Sequence, residues 1–136
     1  MSYQLSIVTP QGIAYEGEVD SIVLPGSEGD FGVLADHERF LTPLRVGEVE
    51  IQTGSELLFA ATASGFAEVT GSAVAVLVES CELAHEIDHA RAEVAHAEAE
   101  QSLGQVAAED DAERYAEYEA ALERAKNRLA VSGRRG

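Results

Sequence analysis

Two histidines four residues apart, with a glutamate beside the first, are the residues of this chain best placed by type and spacing to do chemistry. His85-Glu86-Ile87-Asp88-His89 matches the pattern H-E-x-x-H. On a helix that pattern sets two imidazoles on one face as zinc ligands and offers the glutamate as a general base for hydrolysis. Asp88 puts a charge between the ligands, where such helices are usually uncharged, and the motif comes late in a chain with little room for a substrate cleft. Exposed histidines on a polar face are therefore the favoured reading, and a metal-dependent hydrolase using His85, Glu86 and His89 is the alternative. Pro25-Gly26-Ser27-Glu28-Gly29-Asp30-Phe31-Gly32 is glycine-rich like a phosphate cradle, but Glu28 and Asp30 would repel an anion and the nearest cation is Arg39. It reads as a structural loop or an exposed recognition loop. No Ser-His-Asp or Cys-His arrangement stands out, so no catalytic or metal-binding residue is assigned.

These residues must be held by elements that the apolar pattern describes. The chain has 136 residues, room for one compact body and an appendage. Nine basic residues against 25 acidic ones give a net charge of −16, which argues against nucleic acid as the main partner. The longest apolar run, Ala73 to Val78, falls far short of the roughly 18 residues of a spanning helix. No Lys or Arg precedes Arg39, so no secretory or transit signal is expected, and the single Cys81 reads as a small buried hydrophobe.

Up to about residue 83 the pattern is that of short strands: Tyr3, Leu5 and Ile7 alternate, Pro10-Gln11-Gly12 turns, and Ile13 to Leu24 resumes. Glu48 to Gln52 with Leu57 to Ala63 predicts one hairpin, and Phe66 to Thr70 with Ala73 to Val78 a second. Beyond it, Leu83, Ile87, Ala90, Val94 and Ala97 step at helical spacing, as do Tyr115, Tyr118, Leu122, Ala125 and Leu129. Asp110 and Glu113 stand at capping-box separation, and Ser132-Gly133 supplies a stop. The expectation is an α+β chain, with an antiparallel β-sandwich over residues 1–83 and an antiparallel two-helix hairpin over 84–136. Alanine fills much of the hairpin's seam, so it should need a surface to lean on. Arg124, Lys126, Arg128, Arg134 and Arg135 gather at its end and suit an acidic or phosphate-bearing target.

Gly17-Glu18-Val19 through Pro25 to Leu34, then His37 and Leu41-Thr42, resemble the ε subunits of rotary, proton-driven F-type ATP synthases. Ser64-Gly65-Phe66-Ala67-Glu68-Val69, Val76-Leu77-Val78-Glu79, Glu86-Ile87-Asp88 with Arg91-Ala92, and Arg124-Ala125-Lys126-Asn127-Arg128-Leu129 follow in the same order. The resemblance covers essentially the whole chain. It implies a non-catalytic central-stalk subunit, peripheral on the cytoplasmic face of a bacterial cell membrane. Its sandwich would bind the γ subunit and the rotor ring of c subunits, with Glu28, Asp30 and His37 towards the ring. Its hairpin would fold on the sandwich or extend into the α/β catalytic head, where Arg124, Lys126, Arg128, Arg134 and Arg135 oppose ATP hydrolysis. No cofactor is required, but Ile87-Asp88-His89-Ala90-Arg91-Ala92 matches a family motif that holds ATP as a regulatory ligand. This implies an ATP site of Ile87, Asp88, Arg91, Ala92, Arg124 and Arg128. One departure is Ala35-Asp36 before His37, followed by Glu38-Arg39-Phe40, where a Pro-Gly turn and small or apolar residues are more usual.

Overall fold

The computed structural model describes residues 2–35 and 38–134. The strands are β1 (Tyr3–Thr9), β2 (Gly12–Val19), β3 (Ser21–Gly26), β4 (Gly29–Leu34), β5 (Phe40–Leu44), β6 (Gly47–Thr53), β7 (Glu56–Thr62), β8 (Gly65–Val69), β9 (Ala73–Val78) and β10 (Cys81–Leu83). Two helices follow, α1 (His89–Gly104) and α2 (Ala112–Ser132). Alternation explains the strands: Tyr3, Leu5 and Ile7 of β1, Val49 and Ile51 of β6, and Val74, Val76 and Val78 of β9 are all buried at every second position. The pairing runs β10-β7-β6-β3-β5-β8-β9-β1-β2, with β4 on β3. β3 hands the ladder over, because Ser21 to Val23 pair with β6 while Gly26 pairs with Leu44 of β5. The path thereby folds into two layers around one core that includes Leu5, Ile7, Ile22, Leu24, Val49, Ile51 and Val69. Each such side chain, taken fully from water, contributes about 1.5–3 kcal/mol.

The strands depart from the periodic pattern in three places. The stretch from Ile13 to Leu24 is two strands divided at Asp20. The sandwich is not wholly antiparallel, since β1 and β9 pair in parallel. The glycine-rich segment is no loose loop but the β3–β4 hairpin, closing at the Gly26–Gly29 pair around Ser27 and Glu28. Glycine is required at both positions. Gly29 has φ +135, and a Cβ on Gly26 would lie 2.6 Å from the Gly29 carbonyl oxygen.

The helices also differ from the periodic reading. Ala84–Glu86 form a single 3₁₀ turn, Asp88 caps α1 by accepting from the Arg91 amide at 3.1 Å, and α1 begins only at His89. Its inward residues are Ala92 and Ala99, whereas Ala90, Val94 and Ala97 face solvent. Alanine on both sides of α1 left the helical period ambiguous, and docking chose the face without the valine. In α2 the expected stripe does turn inward, with Ala125 buried and Tyr115, Tyr118, Leu122 and Leu129 half-buried. The cap of α2 is Asp111, one residue later than anticipated, accepting from the Arg114 amide at 3.1 Å.

Candidate functional site: an apolar row, a hairpin tip and a cleft under the helices

The outer face of the second layer carries a continuous row of apolar side chains. Pro43 of β5 pairs with Phe66 of β8, Phe66 with Leu77 of β9, Leu77 with Val8 of β1, and Val8 with Ile13 of β2. At strand spacing the four steps span about 19 Å. Ile13, Phe66 and Leu77 are 61%, 53% and 51% exposed. A bulge makes the row complete: the register shifts between Ile7 and Val8, so that Ile7 faces Tyr15 while Val8 faces Ile13. The adjacent row, Leu41–Glu68–Ala75–Ser6–Glu16, brings two carboxylates alongside. Such a band, apolar at its centre and charged at its rim, has the composition of a docking surface. Sequence reading missed it, although the signal was there: Phe66 shares its parity with Glu68 rather than with buried Ala67 and Val69, and Leu77 stands out of phase with Val74, Val76 and Val78.

The β3–β4 tip lies at one end of this layer. Glu28 and Asp30 are exposed, Asp30 is ion-paired with Arg45, and Phe31 meets Phe40 edge to face with centroids 5.8 Å apart. His37, expected beside them, lies outside the described residues, as does Arg135 of the basic group.

The hairpin leans on β6, β7 and β10. Phe59, Ala61, Ala84, Ile87, Ala92 and Val131 form a second, smaller core, in which only Phe59, Ile87 and Val131 are sizeable. Polar contacts do much of the rest. Asn127 donates to the Gly47 carbonyl at 2.8 Å, and the Arg128 guanidinium makes a forked pair with Glu82 at 2.7 and 3.4 Å. Arg134 forks onto Glu48 at 3.0 and 3.2 Å and lies 4.9 Å above the Phe59 ring. Of the expected basic group, Arg128 and Arg134 are thus engaged by the sandwich, while Arg124 and Lys126 are exposed. Replacing Glu48 and Glu82 together by glutamine is expected to weaken docking by about 1–2 kcal/mol. Amide hydrogen exchange across α2 should quicken roughly tenfold, with the wild type moving the same way as salt is raised.

Between the hairpin and the end of β7 opens a cleft of about 520 Å³, into which Glu82, Glu98, Ser102, Tyr118, Arg124 and Arg128 project. A second opening of about 380 Å³ on the outer side of α1 holds Asp88, Arg91 and Val94, and it shares Ala95 and Glu98 with the first. The expected ATP residues therefore fall into two adjacent groups, Asp88 and Arg91 in one opening and Arg124 and Arg128 in the other. Ile87 and Ala92 are buried in the small core instead.

His85 and Glu86 lie in the 3₁₀ turn and His89 opens α1, so the H-E-x-x-H residues share no helical face. His89 Nδ1 is 2.6 Å from Ser132 Oγ and its Nε2 is 3.3 Å from Glu93, and Glu86 accepts from the Leu83 amide at 3.1 Å. Among the described residues no three His, Cys, Asp or Glu side chains converge as a metal site. Burial, helped by the nearby Glu86 and Glu82 carboxylates, pushes the Cys81 thiol up to about 12, which keeps it protonated and unreactive near neutrality. No helix among the described residues is long and apolar enough to cross a membrane.

A sandwich with an outward apolar band, joined to a helical hairpin that leans on it, is a module built to dock on other proteins. Residues 2–84 match the β-sandwich domain of the ATP synthase delta/epsilon chain, and residues 85–133 match its long α-helix domain. The chain is 38% identical over 129 residues to the ATP synthase epsilon chain of Desulforamulus reducens, covering 95% of this chain and 96% of that one. It is 42% identical over 133 residues to ATP synthase epsilon chain 2 of Syntrophotalea carbinolica, covering 98% and 95%. Its fold superposes with TM-score 0.80 and 25% identity, over 95% of this chain and 80% of the other, on a chain of the Euglena gracilis mitochondrial ATP synthase OSCP/F1/c-ring structure. The chain belongs to the ATP synthase delta/epsilon chain family, and so takes its place in the central stalk of an F-type ATP synthase, among the other subunits of that enzyme.

Proposed function

We propose that the chain grips the γ subunit of the shaft through the Pro43–Phe66–Leu77–Val8–Ile13 row and presents the Glu28–Asp30 tip, with His37, to the ring of c subunits. Proton-driven rotation is thereby coupled to ATP synthesis, with the subunit held peripherally at the cytoplasmic face of a bacterial membrane. The observation that carries this reading is the row itself: Ile13, Pro43, Phe66 and Leu77 exposed and Val8 half-buried, in register on five strands, offer a partner one apolar surface to cover. Co-purification with γ tests it. A chain that fails to bind γ where the rest of the stalk assembles would refute it.

The hairpin is the regulatory part of the proposal. Glu48 and Glu82 neutralise Arg134 and Arg128 while the hairpin is docked. Release would offer these arginines, with Arg124, Lys126 and Arg135, to acidic segments of the α/β catalytic head, opposing hydrolysis. ATP lying across the two openings would favour the docked form, because it can bond both helices at once. Asp88 suits an adenine amine and Arg91, Arg124 and Arg128 suit phosphate oxygens. Arg124→Ala tests this best, since Asp88 also caps α1 and its loss would cost the fold about 1 kcal/mol. Calorimetry with ATP should show at least tenfold weaker binding by Arg124→Ala, and undiminished binding would remove the site.

A further inference from the structure

Between the two halves of the proposed nucleotide site stands a carboxylate. Glu98 lines the cleft that holds Arg124 and Arg128 and also the opening that holds Asp88 and Arg91; Ala95 is the one other residue common to both linings. Along α1, Glu98 follows Arg91 by seven residues, two turns on the same face and about 10 Å further along the axis. A ligand that reaches from Asp88 and Arg91 to the arginines of α2 must pass it. The charges around this path balance: Arg91, Arg124 and Arg128 are met by Asp88, Glu82 and Glu98, and Arg128 is already forked onto Glu82.

A free triphosphate carries about four negative charges, so a path with no net positive charge, and with a carboxylate at its middle, receives it poorly. Magnesium removes about two of those charges and binds one or two protein carboxylates together with phosphate oxygens. We infer that the cleft takes its nucleotide as the magnesium complex, and that Glu98 imposes this requirement. The inference rests on the nucleotide reading of the hairpin and adds to it which form of the ligand is recognised and by which residue. Glu98 is exposed and supports no core contact, so Glu98→Gln removes the charge and leaves the helix intact.

The test is calorimetry on the whole chain with ATP in excess magnesium and with ATP in EDTA, for wild type, Glu98→Gln and Arg124→Ala. Wild type is expected to bind the magnesium complex at least tenfold more tightly than free ATP. Glu98→Gln should reduce that preference to about threefold or less by gaining affinity for free ATP, and Arg124→Ala should weaken both forms. Equal binding of the two forms by wild type, or a preference that persists in Glu98→Gln, overturns the inference while the nucleotide site stands. Binding of both forms that Arg124→Ala leaves unchanged places the ligand elsewhere and overturns both. Absence of heat from every variant with either form refutes the nucleotide reading, and the inference falls with it.

Discussion

Changing Phe66 and Leu77 together to glutamate is expected to leave the chain folded and to weaken its hold on γ by a hundredfold or more. The two side chains face each other across β8 and β9 at the centre of the apolar row, and each is about half exposed. Losing their cross-strand contact costs the fold roughly 0.2–1 kcal/mol, because neither fills the core. In a complex the same residues would be covered. An aromatic anchor at the centre of an interface is worth about 2 kcal/mol or more, and two buried, unpaired carboxylates would add to the loss. Titration of the variant with γ, beside a denaturant melt, separates the two effects. Unchanged affinity would show that γ docks elsewhere and would remove the row from the functional account.

Gly65→Ala is expected to produce the largest fall in stability of any Gly→Ala change among the described residues, roughly 3 kcal/mol or more. An added Cβ would lie 2.0 Å from the Leu77 carbonyl oxygen and 2.8 Å from the Val78 Cα. Both are backbone atoms of β9, to which Gly65 is paired, and Gly65 also pairs with Leu44 of β5. Neither strand can retreat without losing the register that brings Phe66 beside Leu77 and Pro43. Gly71→Ala is the control, since its added methyl meets nothing within 4 Å. A denaturant midpoint for Gly65→Ala within error of that control would show that the β8–β9 ladder yields cheaply, contrary to this packing.

Much of the architecture was legible in the residue order because backbone periodicity is local. Alternation from Glu48 to Gln52 and from Ala73 to Val78 needs only neighbouring residues to be read, and both hairpins formed where it placed them. The three-four spacing of Tyr118, Leu122, Ala125 and Leu129 likewise identified the inner face of α2, because its other faces are charged. Periodicity was uninformative where composition was degenerate. Ala90, Val94 and Ala97 offered α1 as good a seam as Ala92 and Ala99, and only packing against α2 and the small core around Phe59 and Ala61 distinguished them. The H-E-x-x-H spacing misled for a related reason: Asp88 prefers to cap a helix, and capping broke the motif before its histidines could share a face.

By itself the sequence determined a strand-rich body, a helical hairpin with few large inward side chains, and a family resemblance spread along the chain. Only the tertiary structure decided that Val8, Ile13, Pro43, Phe66 and Leu77 form one surface, that Glu48 and Glu82 hold the hairpin's arginines, and that Glu98 divides the cleft. The physical reason is distance along the chain. Strand register and helix docking are settled by the packing of segments far apart in sequence, and no pattern among adjacent residues records which distant side chains will meet.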